Sequence, residues 1–103
     1  MSVLVSFTPR ASESIAEASA WWRDKNPAQF REELEAALSL ISAHPDVGES
    51  YDLLGLPGIR RRLLRKTKYY LYYRRHPLHP DTALQVVLLW PVLKGDPPPL
   101  EEP

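Results

Sequence analysis

Two periods of hydrophobic and polar residues divide this chain, helical spacing in its first half and strand-length apolar runs in its second. At the start, "SVLVSF" (residues 2–7) is short, β-branched and bounded by Thr8-Pro9, which predicts a strand. Thr8 has the character of a helix N-cap, with Pro9 at the first helical position, where a missing N–H costs nothing. Ala11, Ile15, Ala18 and Trp22 then recur at helical spacing and predict an amphipathic helix to about Asp24. "NPAQF" restarts the pattern, with Asn26 as N-cap, Pro27 after it and Gln29 at capping-box spacing. Phe30, Leu34, Ala37, Leu38 and Ile41 line one face of this second helix until His44-Pro45 ends it. So short a link predicts an antiparallel helical hairpin.

After the loop "HPDVGESYDLLGLPG" the period changes. Residues 59–66, 68–75 and 82–90 are three strand-length segments rich in β-branched, aromatic and leucine residues. The first gap suits a hairpin, and "HPLHPD" makes a longer turn. "LQVVLLW" is almost continuously apolar, as a central strand covered on at least one face would be. The order β-α-α-β-β-β predicts an α+β fold, a helical hairpin packed on a small, mostly antiparallel sheet. Residues 1–94 read as one domain, and residues 95–103, "GDPPPLEEP", as a proline-rich mobile tail without regular hydrogen bonding. Alternation sets Ile59, Arg61, Leu63 and Arg65 on one side of their strand and Arg60, Arg62, Leu64 and Lys66 on the other. Both faces carry arginine, so some guanidinium groups must sit at a rim or reach round an edge.

Composition narrows the class. With 103 residues, 44% hydrophobic and 25% charged, the chain reads as one soluble globular domain. Its apolar runs fall far below the roughly 20 residues needed to cross a bilayer, and "MSVLVSF" lacks the marks of a signal peptide. Absence of cysteine excludes disulfides and thiolate chemistry and fits a cytoplasmic location. The net charge of zero conceals segregation: residues 1–52 carry nine acids against four bases, whereas residues 53–80 carry eight bases and no acid. A concentrated positive segment focuses potential that a neutral average hides.

That segment, "RRRLLRKTKYYLYYRR", is the leading candidate for a binding face, with Arg60, Arg61, Arg62, Arg65, Lys66, Lys68, Arg74 and Arg75 as its charges. Edge protection would explain two or three of them, not eight. Arginine interleaved with tyrosine suits an anionic partner surface, or phosphate pairing with base stacking. Alternation puts one pair of Tyr69, Tyr70, Tyr72 and Tyr73 in the core and exposes the other. His76 and His79 have no third ligand nearby and belong to a proline-rich turn, so no metal is expected. Glu32, Glu33 and Glu35 lie in the first turns of a helix, where they favour the dipole and face water. "LKGDP" offers no glycine cradle for phosphate, and no serine or cysteine nucleophile motif occurs. Trp22 continues the apolar helix face, which leaves Trp21 as a candidate partner contact, together with Tyr70 on the strand.

In order, "VSFTPRASESI", the spaced "P…F…L…L…L…I…HPDVG", "LPGIRRRLL", "YYLYYR" and a last apolar strand followed by "KGDP" resemble the RelE/ParE superfamily of bacterial type II toxins, over residues 3 to about 97. The resemblance implies a small cytoplasmic toxin held in a hetero-oligomer by a cognate antitoxin, without cofactor or membrane. Its ribonuclease branch cleaves messenger RNA on the ribosome, and its gyrase branch poisons DNA gyrase without chemistry of its own. The ribonuclease pattern has tyrosine followed by arginine in the central strand, and a late arginine-containing motif ending in tyrosine. Here Tyr70 stands where that arginine is expected, and "PVLKGDPPPL" supplies neither late residue. "LPGIRRR" and "YYLYYRR" look closer to the gyrase-type or plasmid-stabilisation branch, although Pro91 and Lys94 occupy the place of its late His and Arg. What the resemblance implies is thus a ParE-like toxin whose target-binding or antitoxin-binding face includes the basic strands and Lys94. A messenger-RNA endonuclease and a non-toxic nucleic-acid- or antitoxin-binding module are the alternatives.

Overall fold

The computed structural model describes residues 2–52, 55–98 and 100. Strand β1 (Leu4–Phe7) leads into helices α1 (Pro9–Trp22) and α2 (Pro27–Ala43). Strands β2 (Glu49–Ser50), β3 (Arg60–Leu64), β4 (Tyr69–Arg75) and β5 (Ala83–Pro91) follow, and a 3-10 turn, η1 (Val92–Lys94), closes the series. They form one sheet in the order β1-β5-β4-β3-β2, antiparallel except where β1 runs parallel to β5. The expected α+β architecture is present, with one strand more than the sequence pattern predicts. The addition, β2, lies in the segment read as loop and is only two residues long.

Local chemistry sets the helix boundaries. Thr8 Oγ1 accepts from Ala11 N–H at 3.0 Å, and Asn26 Oδ1 from Gln29 N–H at 3.1 Å, so both expected N-caps are made. α1 ends at Trp22 rather than Asp24, and its last ring stacks on Phe30 of α2 at 6.3 Å between centroids. β3 stops at Leu64, short of the expected Lys66. Residues 65–68 turn back, with Lys68 N–H on Leu64 O at 2.8 Å and Lys68 itself at φ +65°.

Both faces of the sheet are covered. On one, Phe30, Leu34 and Ile41 of the helices pack with Leu64, Leu71, Tyr73, Leu84, Val86 and Leu89. On the other, Leu56 and Ile59 close over Tyr72, Val87 and Leu88, with Tyr51, Tyr70, Trp90 and Leu100 at the margin. The expectation that one tyrosine pair is exposed is therefore corrected: Tyr69, Tyr72 and Tyr73 are buried and Tyr70 is half-buried. The loop after α2 and Leu100 supply the second cover, which strand alternation alone does not reveal. Leu100 belongs to the proline-rich tail; Pro99 and residues 101–103 lie outside the described residues, as do residues 53–54 of the loop.

Cover on both faces explains why the β5 pattern is continuous rather than alternating, and a bulge shifts its alternation once. Tyr72 pairs with Leu88 but Tyr73 with Val86, so Val87 is the extra residue and shares its face with Leu88. β5 also outruns β1, whose register ends at Phe7 opposite Val86. Beyond that point α1 and its cap take over the edge. Thr8 Oγ1 donates to Val87 O at 3.4 Å, and Leu89 N–H donates to Ser14 Oγ at 3.0 Å while Ser14 donates to Ala11 O. Ser14 is buried within α1, so its hydroxyl stands in for a missing strand. Ser14→Ala should accordingly leave the Leu89 amide buried without an acceptor and cost about 1–3 kcal/mol. Chemical denaturation compared with Ser12→Ala, an exposed change on the same helix, would measure it.

Candidate functional site

The basic run is free of acids only along the chain. In three dimensions the loop and α2 bring carboxylates to it. Asp46 lies 3.8 Å from Arg60 Nε and 3.3 Å from Arg75 Nη2. Glu49, on β2, pairs with Arg61. Arg74 does not belong to an exposed face at all: it is buried, and its Nε donates to Gln85 Oε1 at 3.0 Å across the β4–β5 ladder. Its position between central strands is the reason. Arg62, Arg65, Lys66, Lys68 and Lys94 have no ion pair among the described residues, and all but the half-buried Arg62 are exposed. The single basic face expected from the sequence thus resolves into a charged hairpin tip, a paired edge and a buried arginine.

Arg61 is the centre of a closed cluster on the face opposite the helices. Its guanidinium lies 4.4 Å from the Tyr51 ring centroid and 4.0 Å from that of Tyr70. Tyr51 in turn meets Tyr72 edge-on at 5.2 Å. Burial alone would lower the Arg61 pKa, but Glu49 and the Tyr72 hydroxyl outweigh it and hold the group above its ordinary value. Burial pushes the Tyr72 and Tyr51 hydroxyls above the usual phenol range, and Asp96 adds to the rise at Tyr51. A charge clamped in this way and phenols that hold their protons are poorly suited to proton transfer at neutral pH.

At the other end of β4, α2 fixes the hairpin tip. Glu33 accepts from Lys66 N–H and Thr67 N–H, both at 2.8 Å, and from Thr67 Oγ1 at 2.6 Å. The expectation that Glu33 faces water is corrected: it caps the turn between β3 and β4, more than thirty residues away along the chain. Beside this turn, an apolar groove of about 400 Å³ opens between α1, the end of β5 and η1. Trp21, Lys68 and Lys94, far apart in sequence, all line it. His76 and His79 form a turn instead, His76 Nδ1 accepting from Leu78 N–H at 3.1 Å. No group of three metal-binding side chains occurs among the described residues.

Comparison with known proteins places this arrangement. The family model described as ParE toxin of type II toxin-antitoxin system, parDE, matches residues 5–94. The chain belongs to the ParE toxin family. ParE-family membership agrees with the shape: the free E. coli RelE toxin with two arginines replaced has a TM-score of 0.60 to this chain at 22% identity, over 92% of this chain and 88% of that one. Isolated E. coli RelE gives 0.58 at 24% identity, over 86% and 83%. The RelE variant in complex with an antitoxin RelBc peptide gives 0.59 at 24%, over 88% and 84%. Identities this low establish a shared fold. Comparison with curated protein sequences gives no match.

In this ParE-family chain the Glu33 cap has a measurable signature. Burial raises its pKa, but the Thr67 hydroxyl and the Lys66 and Thr67 amides outweigh that and hold it below the usual carboxylate value. A depressed folded-state pKa contributes stability that is complete above the unfolded value and is lost as pH falls through the folded one. Glu33→Gln should therefore cost about 1 kcal/mol near pH 7, and the difference from wild type should shrink below the ordinary carboxylate pKa. Urea midpoints measured across acid and neutral pH would check both the size and the sign.

Proposed function

We propose that this ParE-family chain is the toxin of a type II pair, that it arrests growth by binding an essential target such as DNA gyrase without catalysing a reaction, and that a cognate cytoplasmic antitoxin neutralises it. One observation carries the non-catalytic reading. The position where the ribonuclease pattern has arginine holds Tyr70, and Tyr70 clamps Arg61 against Tyr51 and Glu49. Cleavage through a ribose 2′-oxygen requires charge stabilisation at phosphate and a group that exchanges a proton near neutral pH. Among the partners of Arg61, Glu49 is already paired with it, and burial pushes the Tyr51 and Tyr72 hydroxyls upward.

The exposed charges support binding instead. Arg62, Arg65 and Lys66 project near the β3–β4 tip, whose backbone is held by Glu33. A rigid, positively charged projection can engage an acidic protein surface or a nucleic-acid-bearing complex, and its effect depends on the set of charges rather than on one atom.

Replacing Arg62, Arg65 and Lys66 together by glutamine should abolish growth inhibition and leave the circular dichroism spectrum unchanged, since surface changes of this kind cost no more than about 0.5 kcal/mol each. Purified wild type should leave messenger RNA intact on translating ribosomes, and cells expressing it should show DNA-damage signalling. Codon-specific cleavage that Tyr70→Phe or Arg62→Ala removes would establish the endonuclease instead. A wild type that folds but never slows growth would mark a non-toxic binding module.

A further inference from the structure

We infer that the sheet face opposite the helices is a docking site for an extended, proline-rich peptide segment bearing an acid and a leucine, and that the chain's own Asp96 and Leu100 occupy it at rest. A reversal of the chain brings them there. Gly95, directly after η1, has φ +74° and open space where a Cβ would stand, so the turn itself calls for glycine. Beyond it, Asp96 precedes proline and is biased to extended backbone, while Pro97 and Pro98 fix their own φ. A segment stiffened in this way loses little freedom when it docks.

Three contacts hold it to the face. Trp90 Nε1 donates to Gly95 O at 3.1 Å, and the Tyr51 hydroxyl donates to Asp96 Oδ1 at 3.4 Å. Leu100 is half-buried against the cluster of Leu56, Ile59, Tyr72, Val87 and Leu88. The receiving side is shaped for the approach: at Gly55, φ +88°, an added Cβ would run into Leu100 O. Gly58 has a similar φ of +74° and open space around it. Gly55 alone of these two therefore serves a close approach as well as a turn.

The face selects its occupant by chemistry. Burial, with Asp96 adding to it, raises the Tyr51 pKa, so the phenol keeps a proton to donate to a carboxylate. Arg61, between the Tyr51 and Tyr70 rings, adds positive potential beside that acid. Indole and phenol donors above an aromatic and aliphatic surface are what proline-rich segments dock on. Both polar contacts are exposed to solvent, so the segment opens locally without global unfolding. A tethered segment acts at an effective concentration on the order of millimolar and keeps weaker competitors off the face.

The test uses the full chain. Trp90 indole N–H, assigned in NMR spectra with Trp90→Phe, reports the docked state. In Leu100→Asp this proton should exchange with water about tenfold faster than in wild type, and in the milder Leu100→Ala by an intermediate amount. A fluorescein-labelled peptide of sequence GDPPPL should bind Leu100→Asp about tenfold more tightly than wild type, because the tethered competitor is weakened. Adding Gly55→Ala to Leu100→Asp should abolish peptide binding, whereas adding Gly58→Ala should leave it, with circular dichroism confirming the fold of each. Unchanged indole exchange in both Leu100 variants would overturn the inference, as would equal peptide binding by wild type and Leu100→Asp. Equal losses from Gly55→Ala and Gly58→Ala would overturn it too. A single-stranded oligonucleotide that binds Leu100→Asp more tightly than the peptide would give the face to nucleic acid instead. These measurements need neither antitoxin nor target, so they succeed or fail apart from the toxin reading.

Discussion

Strand β5 runs from Ala83 to Pro91 beside a first strand of only four residues, and much of the architecture answers that mismatch. A strand buried on both faces cannot leave peptide groups unpaired along its edge. β4 satisfies one side through a ladder that absorbs Val87 as a bulge. On the other side β1 gives out at Phe7, and Thr8 and Ser14 take over as side-chain partners. The cap of α1 therefore does two jobs. It starts the helix and sets that helix against the last strand at a fixed depth, which in turn places Trp21 beside the end of β5.

Charge follows a similar logic of completion at a distance. Asp46, Glu49 and Glu33 come from elements outside the basic run, yet each settles on a part of it. Asp46 and Glu49 neutralise guanidinium groups at the edge of the sheet. Glu33 instead binds turn amides and leaves the neighbouring lysine and arginine side chains facing outward. Half-exposed ion pairs of this kind contribute little stability each, but they decide which cations remain available to a partner.

The fold was largely legible in the sequence because its signals are local. Thr8-Pro9 and Asn26-Pro27 announce both helix starts, and the apolar faces of α1 and α2 follow the helical period. β2 was not legible, since two residues carry no period and its pairing depends on Arg60 and Arg61. The burial of Tyr72 and Arg74 depends on a second cover and on central placement in the sheet, neither of which strand alternation encodes. Ser14 offered no signal beyond being a polar residue one position from the expected apolar stripe. At the site, Trp21, Lys68 and Lys94 could be named individually, but only the β3–β4 turn and η1 bring them to one groove. The role of Glu33 is hidden from the sequence for the same reason, because its partners lie more than thirty residues away.

The parallel pairing of β1 with β5 sets an order of events during synthesis. Thr8 and Val87 are 79 residues apart in the chain, so the parallel hydrogen-bond ladder cannot close until the last strand has left the ribosome. The helical hairpin must wait with its apolar face uncovered, a state vulnerable to chaperone capture and aggregation. η1, one wall of the groove, follows β5 directly and is assembled at the same late moment. Any ligand that reads the groove consequently discriminates folded from unfolded chain, and by mass action it draws slow-folding molecules into the folded state.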